Sequence, residues 1–182
     1  MRSTRTSPIA GRGECGSIAN CYCTGNITAV NTSNVALSLS GLYSGGMNAE
    51  NLTWDSGVVH AENCYSLVDI NAYGEWCYCS GVLTNGDLAY SYASSIKNCY
   101  ALSKISGGTY VYPVAYTFRM DTVKDNYYLN KYGTQDDAVG LTEAQMKLAN
   151  CYTGFDFEKI WFIDSNSSYP YPQLYSCLLA SD

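Results

Sequence analysis

Asn98-Cys99-Tyr100-Ala101-Leu102-Ser103-Lys104-Ile105 decides the reading of this chain, because the phrase recurs. It returns as Asn20-Cys21-Tyr22-Cys23-Thr24-Gly25-Asn26-Ile27 and as Asn63-Cys64-Tyr65-Ser66-Leu67-Val68-Asp69-Ile70. Trp76-Cys77-Tyr78-Cys79-Ser80-Gly81-Val82-Leu83 is a looser copy, and Asn126-Tyr127-Tyr128-Leu129 is an echo without the cysteine. Repetition of one short unit points to stacked coils, each burying what its neighbour leaves bare.

Alternation along each copy sorts its residues into two faces. Cys64, Ser66, Val68 and Ile70 share one face, as do Cys77, Cys79, Gly81 and Leu83, and Cys99, Ala101, Ser103 and Ile105. These residues are small or apolar and suit a narrow interior. The opposite face carries Tyr22, Tyr65, Tyr78 and Tyr100 among charged and polar residues, so it is expected to face solvent or to be covered only by neighbouring loops. Ile18 and Ile96 precede their cysteines by three residues, the wrong parity for one straight strand. A corner at the intervening Asn, which tolerates left-handed backbone, returns them to the inside.

Successive cysteines of the phrase lie 43, 13 and 22 residues apart. The values 43 and 22 suggest a coil of about 22 residues, and the 13-residue step a different strand of the same turn. Strand-like segments at 34–39, 57–60 and 109–112 lie between the phrases, with turns at Gly41, Gly45-Gly46, Gly74, Asn85-Gly86 and Gly107-Gly108. Residues 1–14 lack periodicity and read as a disordered or artificially cut leader, residues 15–135 as the solenoid, and residues 136–182 as a capping segment. Within that last span, Thr142 and Gln145 form a capping-box pattern that predicts a helix over 141–150. A concentration of aromatic and aliphatic residues from Phe155 to Ile163 follows, suited to closing a solenoid end.

Composition agrees with an all-β chain: 18 Tyr against 4 Phe, 16 Gly, and only 14% charged residues. The net charge of −6, with no basic stripe, argues against nucleic-acid binding. No apolar run approaches the length of a membrane helix. Nine cysteines are an odd number, and their C-x-C spacing does not resemble zinc pairs. They read as small buried hydrophobes, with disulfides between neighbouring rungs as the alternative.

The repeated Asn-Cys-Tyr phrases resemble the GLUG-motif repeats of bacterial secreted and cell-surface proteins. The run from Gly140-Leu141-Thr142-Glu143-Ala144-Gln145-Met146 through Gly154-Phe155-Asp156-Phe157 and Trp161 to Tyr169-Pro170-Tyr171-Pro172-Gln173-Leu174 resembles the segment that closes such arrays. Together they cover most of residues 15–175. The usual Gly-Gly-Leu-Val-Gly strand is poorly kept, with Ser40-Gly41-Leu42-Tyr43-Ser44-Gly45-Gly46 its nearest trace. The resemblance implies an all-β, right-handed parallel β-helix-like solenoid with a C-terminal helix and aromatic cap. It also implies a secreted or cell-surface, adhesin-like protein without catalytic residues; the expectation is a binding module or structural spacer, without cofactor, as part of a longer polypeptide.

The candidate binding residues are therefore Tyr22, Tyr65, Tyr78 and Tyr100. Stacked copies would set their rings in a row able to hold a host or cell-surface glycan or protein, or the rings would serve only to stack on one another. A polysaccharide-cleaving solenoid would need converging carboxylates. The available pairs are Asp121 with Asp125, Asp136 with Asp137, and Asp156 with Glu158, with Arg119 near Asp121. His60 has no nucleophile in a recognisable elbow.

Overall fold

A computed structural model describes residues 4–13, 16–45, 59–85, 95–117 and 122–178. Four coils wind through them, and each coil lays one strand or strand pair on each of four faces. The first coil is β1 (Thr4–Thr6), β2 (Ala10–Gly13), β3 (Gly16–Ala19) and β4 (Tyr22–Val30). The second is β5 (Leu37–Ser40), β6 (Tyr43–Gly45), β7 (Val59–Glu62) and β8 (Tyr65–Tyr73). The third is β9 (Cys77–Ser80), β10 (Leu83–Asn85), β11 (Ser95–Lys97), β12 (Tyr100–Ala101) and β13 (Ile105–Gly107). The fourth is β14 (Tyr110–Tyr112), β15 (Ala115–Thr117), β16 (Thr122–Lys124) and β17 (Tyr127–Leu129), after which β18 (Val139–Leu141) adds one more rung to the fourth face. Every pairing between coils is parallel, so the chain is a parallel β-helix-like solenoid.

Its corners follow from the repeated phrase. Asn20, Asn63, Asn98 and Asp125 hold φ of 53°, 52°, 51° and 54°, and Trp76 holds 57° at the corner before β9. Asn and Asp enter this left-handed region more readily than other residues with a side chain. Each corner also joins the ladder: the Asn63 and Asn98 N–H groups donate to the Lys97 and Lys124 carbonyls, both at 3.2 Å. Beyond the corner the expected inward parity holds. Ile96, Cys99, Cys64, Val68, Ile70, Cys77, Cys79 and Leu83 are all fully buried, and Ile18 is buried as well. The eight described cysteines are free thiols. Burial pushes the Cys79 thiol up to about 12 and raises Cys99 well above the ordinary thiol range.

The echo at the fourth coil is offset by one residue from the reading as Asn-Tyr. Tyr127 lies opposite Tyr100, which puts Asp125 at the corner and Asn126 in the cysteine position. The buried Asn126 amide is satisfied there: it accepts the Cys99 N–H at 3.0 Å and donates to the Ile96 carbonyl at 3.0 Å. A polar side chain at the last coil thus supplies bonds that another rung's backbone would have made.

Two expectations, about coil length and chain start, are corrected, and one about Cys77 agrees. The coil is not about 22 residues: Tyr22 faces Tyr65, Tyr65 faces Tyr100 and Tyr100 faces Tyr127, giving steps of 43, 35 and 27 residues. From the second coil to the fourth, the connections entering the first face and joining the second face to the third shorten while the strands keep their register. Cys77 belongs to a different face from Cys64, as the 13-residue step suggested, because β9 pairs with β5. Residues 1–14 are not simply a leader, since β1 and β2 pair with β5 and β6 of the second coil. Strands of three and four residues are too short to show periodicity, and backbone pairing does not depend on their side chains.

The helix over 141–150 is replaced by two short 3-10 turns, Gln145–Lys147 and Ala149–Cys151. The capping box does form, with Thr142 N–H donating to Gln145 Oε1 at 2.9 Å and Gln145 N–H to Thr142 Oγ1 at 3.3 Å. Propagation fails at Leu148, whose backbone is extended at φ −117° and ψ 118°. Met146 and Tyr152 are both buried in one aromatic cluster, and the Tyr152 hydroxyl donates to the Met146 carbonyl at 2.7 Å. In a continuous helix residues six apart lie on different sides, and that carbonyl would accept from Asn150 instead.

The aromatic segment packs against the fourth face. A short hairpin of β19 (Trp161–Phe162) and β20 (Gln173–Leu174), followed by α1 (Tyr175–Leu178), belongs to a segment packed on the outer side of the fourth face. Trp161, Phe155, Met146, Tyr152 and Leu174 cluster there with Tyr65, Tyr100 and Tyr127.

Candidate binding surface

The structure sorts the four singled-out tyrosines into two arrays. Tyr22, Tyr65 and Tyr100 occupy one register position on the fourth face and form a column. Ring centroids are 4.9 Å apart at 10° between Tyr22 and Tyr65, and 5.0 Å apart at 3° between Tyr65 and Tyr100. This is close to the strand repeat of about 4.8 Å, so parallel pairing itself sets the stack.

Their expected outward exposure is corrected for two of the three. They do point away from the solenoid interior, but Trp161 lies 6.0 Å from Tyr65 and 5.9 Å from Tyr100, and both tyrosines are buried. The Tyr100 hydroxyl meets the Tyr169 hydroxyl at 2.7 Å and donates to the Pro172 carbonyl. Burial raises the Tyr65 and Tyr100 phenols well above the ordinary phenol range. Only Tyr22 of this column is open, at 46% exposure.

Tyr78 belongs elsewhere. It stacks on Tyr110 at 4.7 Å and 14°, one coil on, and lies 5.0 Å from Tyr116; Tyr112 lies 4.8 Å from Tyr116. These four rings make a second array across the corner between the first and second faces. Its signal in the sequence was the alternation Tyr110-Val111-Tyr112, which sets two rings on one side of a strand, together with Tyr116 just past Pro113. Tyr110 is 41% exposed, and Tyr78, Tyr112 and Tyr116 are half-buried. Partial burial and the neighbouring phenols push Tyr116 up to about 12.

Beside this array Tyr112, Ala115, Thr134, Gln135, Asp136 and Asp137 line a cavity of about 300 Å³. That volume is at the lower end for small-ligand sites. Gln135 fixes one wall. Its Oε1 accepts from the Val114 N–H at 2.8 Å and the Ala115 N–H at 3.2 Å, while its Nε2 donates to the Ala115 carbonyl at 3.1 Å and to Asp137 Oδ1 at 2.6 Å. The lining brings two carboxylates and no cationic side chain.

The other acidic candidates do not come together in the same way. Asp121 and Arg119 lie outside the described residues. Asp125 stands at its corner 3.8 Å from the exposed Lys124, a pairing of small energetic weight. Asp156 Oδ1 accepts from the Glu158 and Lys159 N–H groups at 2.9 and 3.0 Å, closing a turn. His60 is exposed on the third face, with its Nδ1 2.8 Å from Ser95 Oγ. Among the described residues no group of three or more His, Cys, Asp or Glu side chains could hold a metal ion. Among them too, no helix is long and apolar enough to cross a membrane.

Comparison with protein families, curated proteins and solved structures finds no match to the chain.

Proposed function

We propose that the chain is a non-enzymatic repeat module of a secreted or surface-attached bacterial protein, akin to the GLUG-motif arrays it resembles. In this reading it binds a host or cell-surface glycan or protein in an adhesin-like manner. The supporting observation is the second tyrosine array: Tyr78, Tyr110, Tyr112 and Tyr116 turn rings outward on a rigid parallel sheet, beside a cavity. Tyrosine offers a large contact area, few rotatable bonds and a hydroxyl, which suits a recognition surface. The first array supports a division of labour, since the same residue type at Tyr65 and Tyr100 is spent on holding the C-terminal segment.

A polysaccharide-cleaving module is the second reading, favoured by Asp136 and Asp137 lining one cavity. A glycan array run beside a reducing-sugar release assay separates the two. Retention of glycans or of a surface protein without sugar release supports the binding module. Sugar release that disappears in Asp136→Asn establishes the cleaving module instead.

A further inference from the structure

Among the described residues the column that starts at Tyr78 ends at Tyr110, whose ring is partly exposed. Among the described residues β14 is the edge strand of the first face. Tyr78 and Tyr110 stack at 4.7 Å because successive rungs place their rings one above the other. Among the described residues no strand continues that repeat past Tyr110, and Tyr110 is 41% exposed. On the second face the situation is different: the Gln135 amide occupies the rung position after β15. The end of the solenoid is therefore sealed on one face and left with a bare aromatic surface on the adjoining one. The cavity lined by Tyr112, Thr134, Asp136 and Asp137 lies alongside.

From this juxtaposition we infer that the Tyr110–Tyr112 edge and the Asp136–Asp137 cavity form one subsite for a pyranose ring of a non-acidic glycan. The ring takes the place of the next tyrosine in the column. A flat apolar C–H face fits against an aromatic ring, and the equatorial hydroxyls of a neutral sugar are donors that match carboxylate and Thr134 hydroxyl acceptors. The same two carboxylates repel uronic, sialic and sulfated sugars, since no lining side chain offers a compensating cation. Repulsion thus excludes acidic units, and the proposed occupants are uncharged hexose or N-acetylhexosamine units. Tyr116 and Tyr78 hold Tyr112 and Tyr110 in place, so little side-chain freedom is lost on binding.

This inference rests on the binding-module reading, and its test distinguishes the two. The full chain is titrated by calorimetry and saturation-transfer NMR with neutral hexose and N-acetylhexosamine oligosaccharides, and with oligouronates as the acidic probe. The expected result is binding of a neutral oligosaccharide, with saturation transfer to one ring face. Tyr110→Ala should weaken that binding at least about tenfold, and Tyr110→Phe should leave it within about threefold. Asp136→Asn lies outside the strands and gives an answer independent of stacking: it should weaken neutral-sugar binding and lessen the discrimination against uronates. Neutral-glycan binding unchanged in both Tyr110→Ala and Asp136→Asn overturns the subsite while leaving a binding module elsewhere on the surface. Equal or tighter binding of oligouronates also overturns it. No binding of any glycan overturns the subsite as well; capture of a surface protein by the same preparation would then keep the module reading alone.

Discussion

The side-chain amide of Gln135 pairs with the main chain of Ala115 as a peptide group would, accepting from its N–H at 3.2 Å and donating to its carbonyl at 3.1 Å. It also accepts the Val114 N–H at 2.8 Å. One side chain thereby terminates a hydrogen-bond ladder that runs through every coil of the second face. Exposed ladder ends invite pairing with other chains, and this residue removes that opportunity where it stands.

Gln135→Leu should leave the buried Val114 and Ala115 N–H groups without their acceptor. The expected destabilisation is about 1–3 kcal/mol for an unsatisfied buried group, or a Tm lower by several degrees. Calorimetric melting checks this, and sedimentation of the variant should show increased self-association through the freed edge.

Trp76 holds φ at 57° although its side chain is 48% exposed. The left-handed corners between the third and fourth faces use Asn or Asp, and Gly108, in the matching register before β14, holds φ 87°. Trp76→Asn should therefore stabilise the fold by about 1 kcal/mol, the scale of the left-handed penalty for an ordinary residue. For a chain of this size that is a rise in Tm of about 2–4 °C. Asn98→Val should act in the opposite direction and by at least as much. Urea unfolding of both variants gives the comparison.

Tyr100→Phe removes the hydroxyl that meets Tyr169 and Pro172 while keeping the ring in its stack. The loss should be about 1–3 kcal/mol, concentrated in the attachment of the C-terminal segment. Hydrogen exchange should quicken in residues 152–175 before the solenoid strands respond. Tyr22→Ala, at the open end of the same column, should change stability by less than about 1 kcal/mol.

Alkaline pH should unfold the protein more readily than its acidic composition suggests. Cys79 and Tyr116 are each pushed up to about 12, from ordinary values of 9.0 and 10.0, and Cys99, Tyr65, Tyr100, Tyr152 and Tyr169 are raised by burial as well. With folded values above unfolded ones, the neutral groups contribute their full stabilisation below about pH 9. That contribution is lost as pH rises toward 12, by at most about 1.4 kcal/mol per pH unit for each deeply buried group and by less for Tyr116 and Tyr65, which solvent screens. Unfolding free energy measured by urea titration from pH 7 to 11 should fall above pH 9, with phenolate absorbance appearing together with unfolding. In Cys79→Ala the fall should be shallower.

Much of this architecture was legible because it is local. Asn98-Cys99-Tyr100 carries its own corner, its inward thiol and its outward ring, and each follows from side-chain chemistry and two-residue alternation. Coil length was not legible, since corners tolerate connections of different length while only the strands must stay in register. Nor was the covering of Tyr65 and Tyr100, which depends on Trp161 and Tyr169 far along the chain. The capping box at Thr142 and Gln145 was read correctly as a bond pattern. The helix it announced gave way because Met146 and Tyr152 both enter one aromatic cluster. In the candidate site, Tyr78 was singled out for the wrong column, and Tyr110, Tyr112 and Tyr116 became visible only when pairing placed them beside it.

The packing of Trp161 against Tyr65 and Tyr100, at 6.0 and 5.9 Å, makes the flank of the solenoid an optical gauge. Light absorbed by those phenols passes to the indole at such short range, so the attached segment emits as tryptophan. Release of the segment separates donor from acceptor and returns the tyrosine band. The ratio of the two emissions therefore reports the docking of residues 152–175 without any added label.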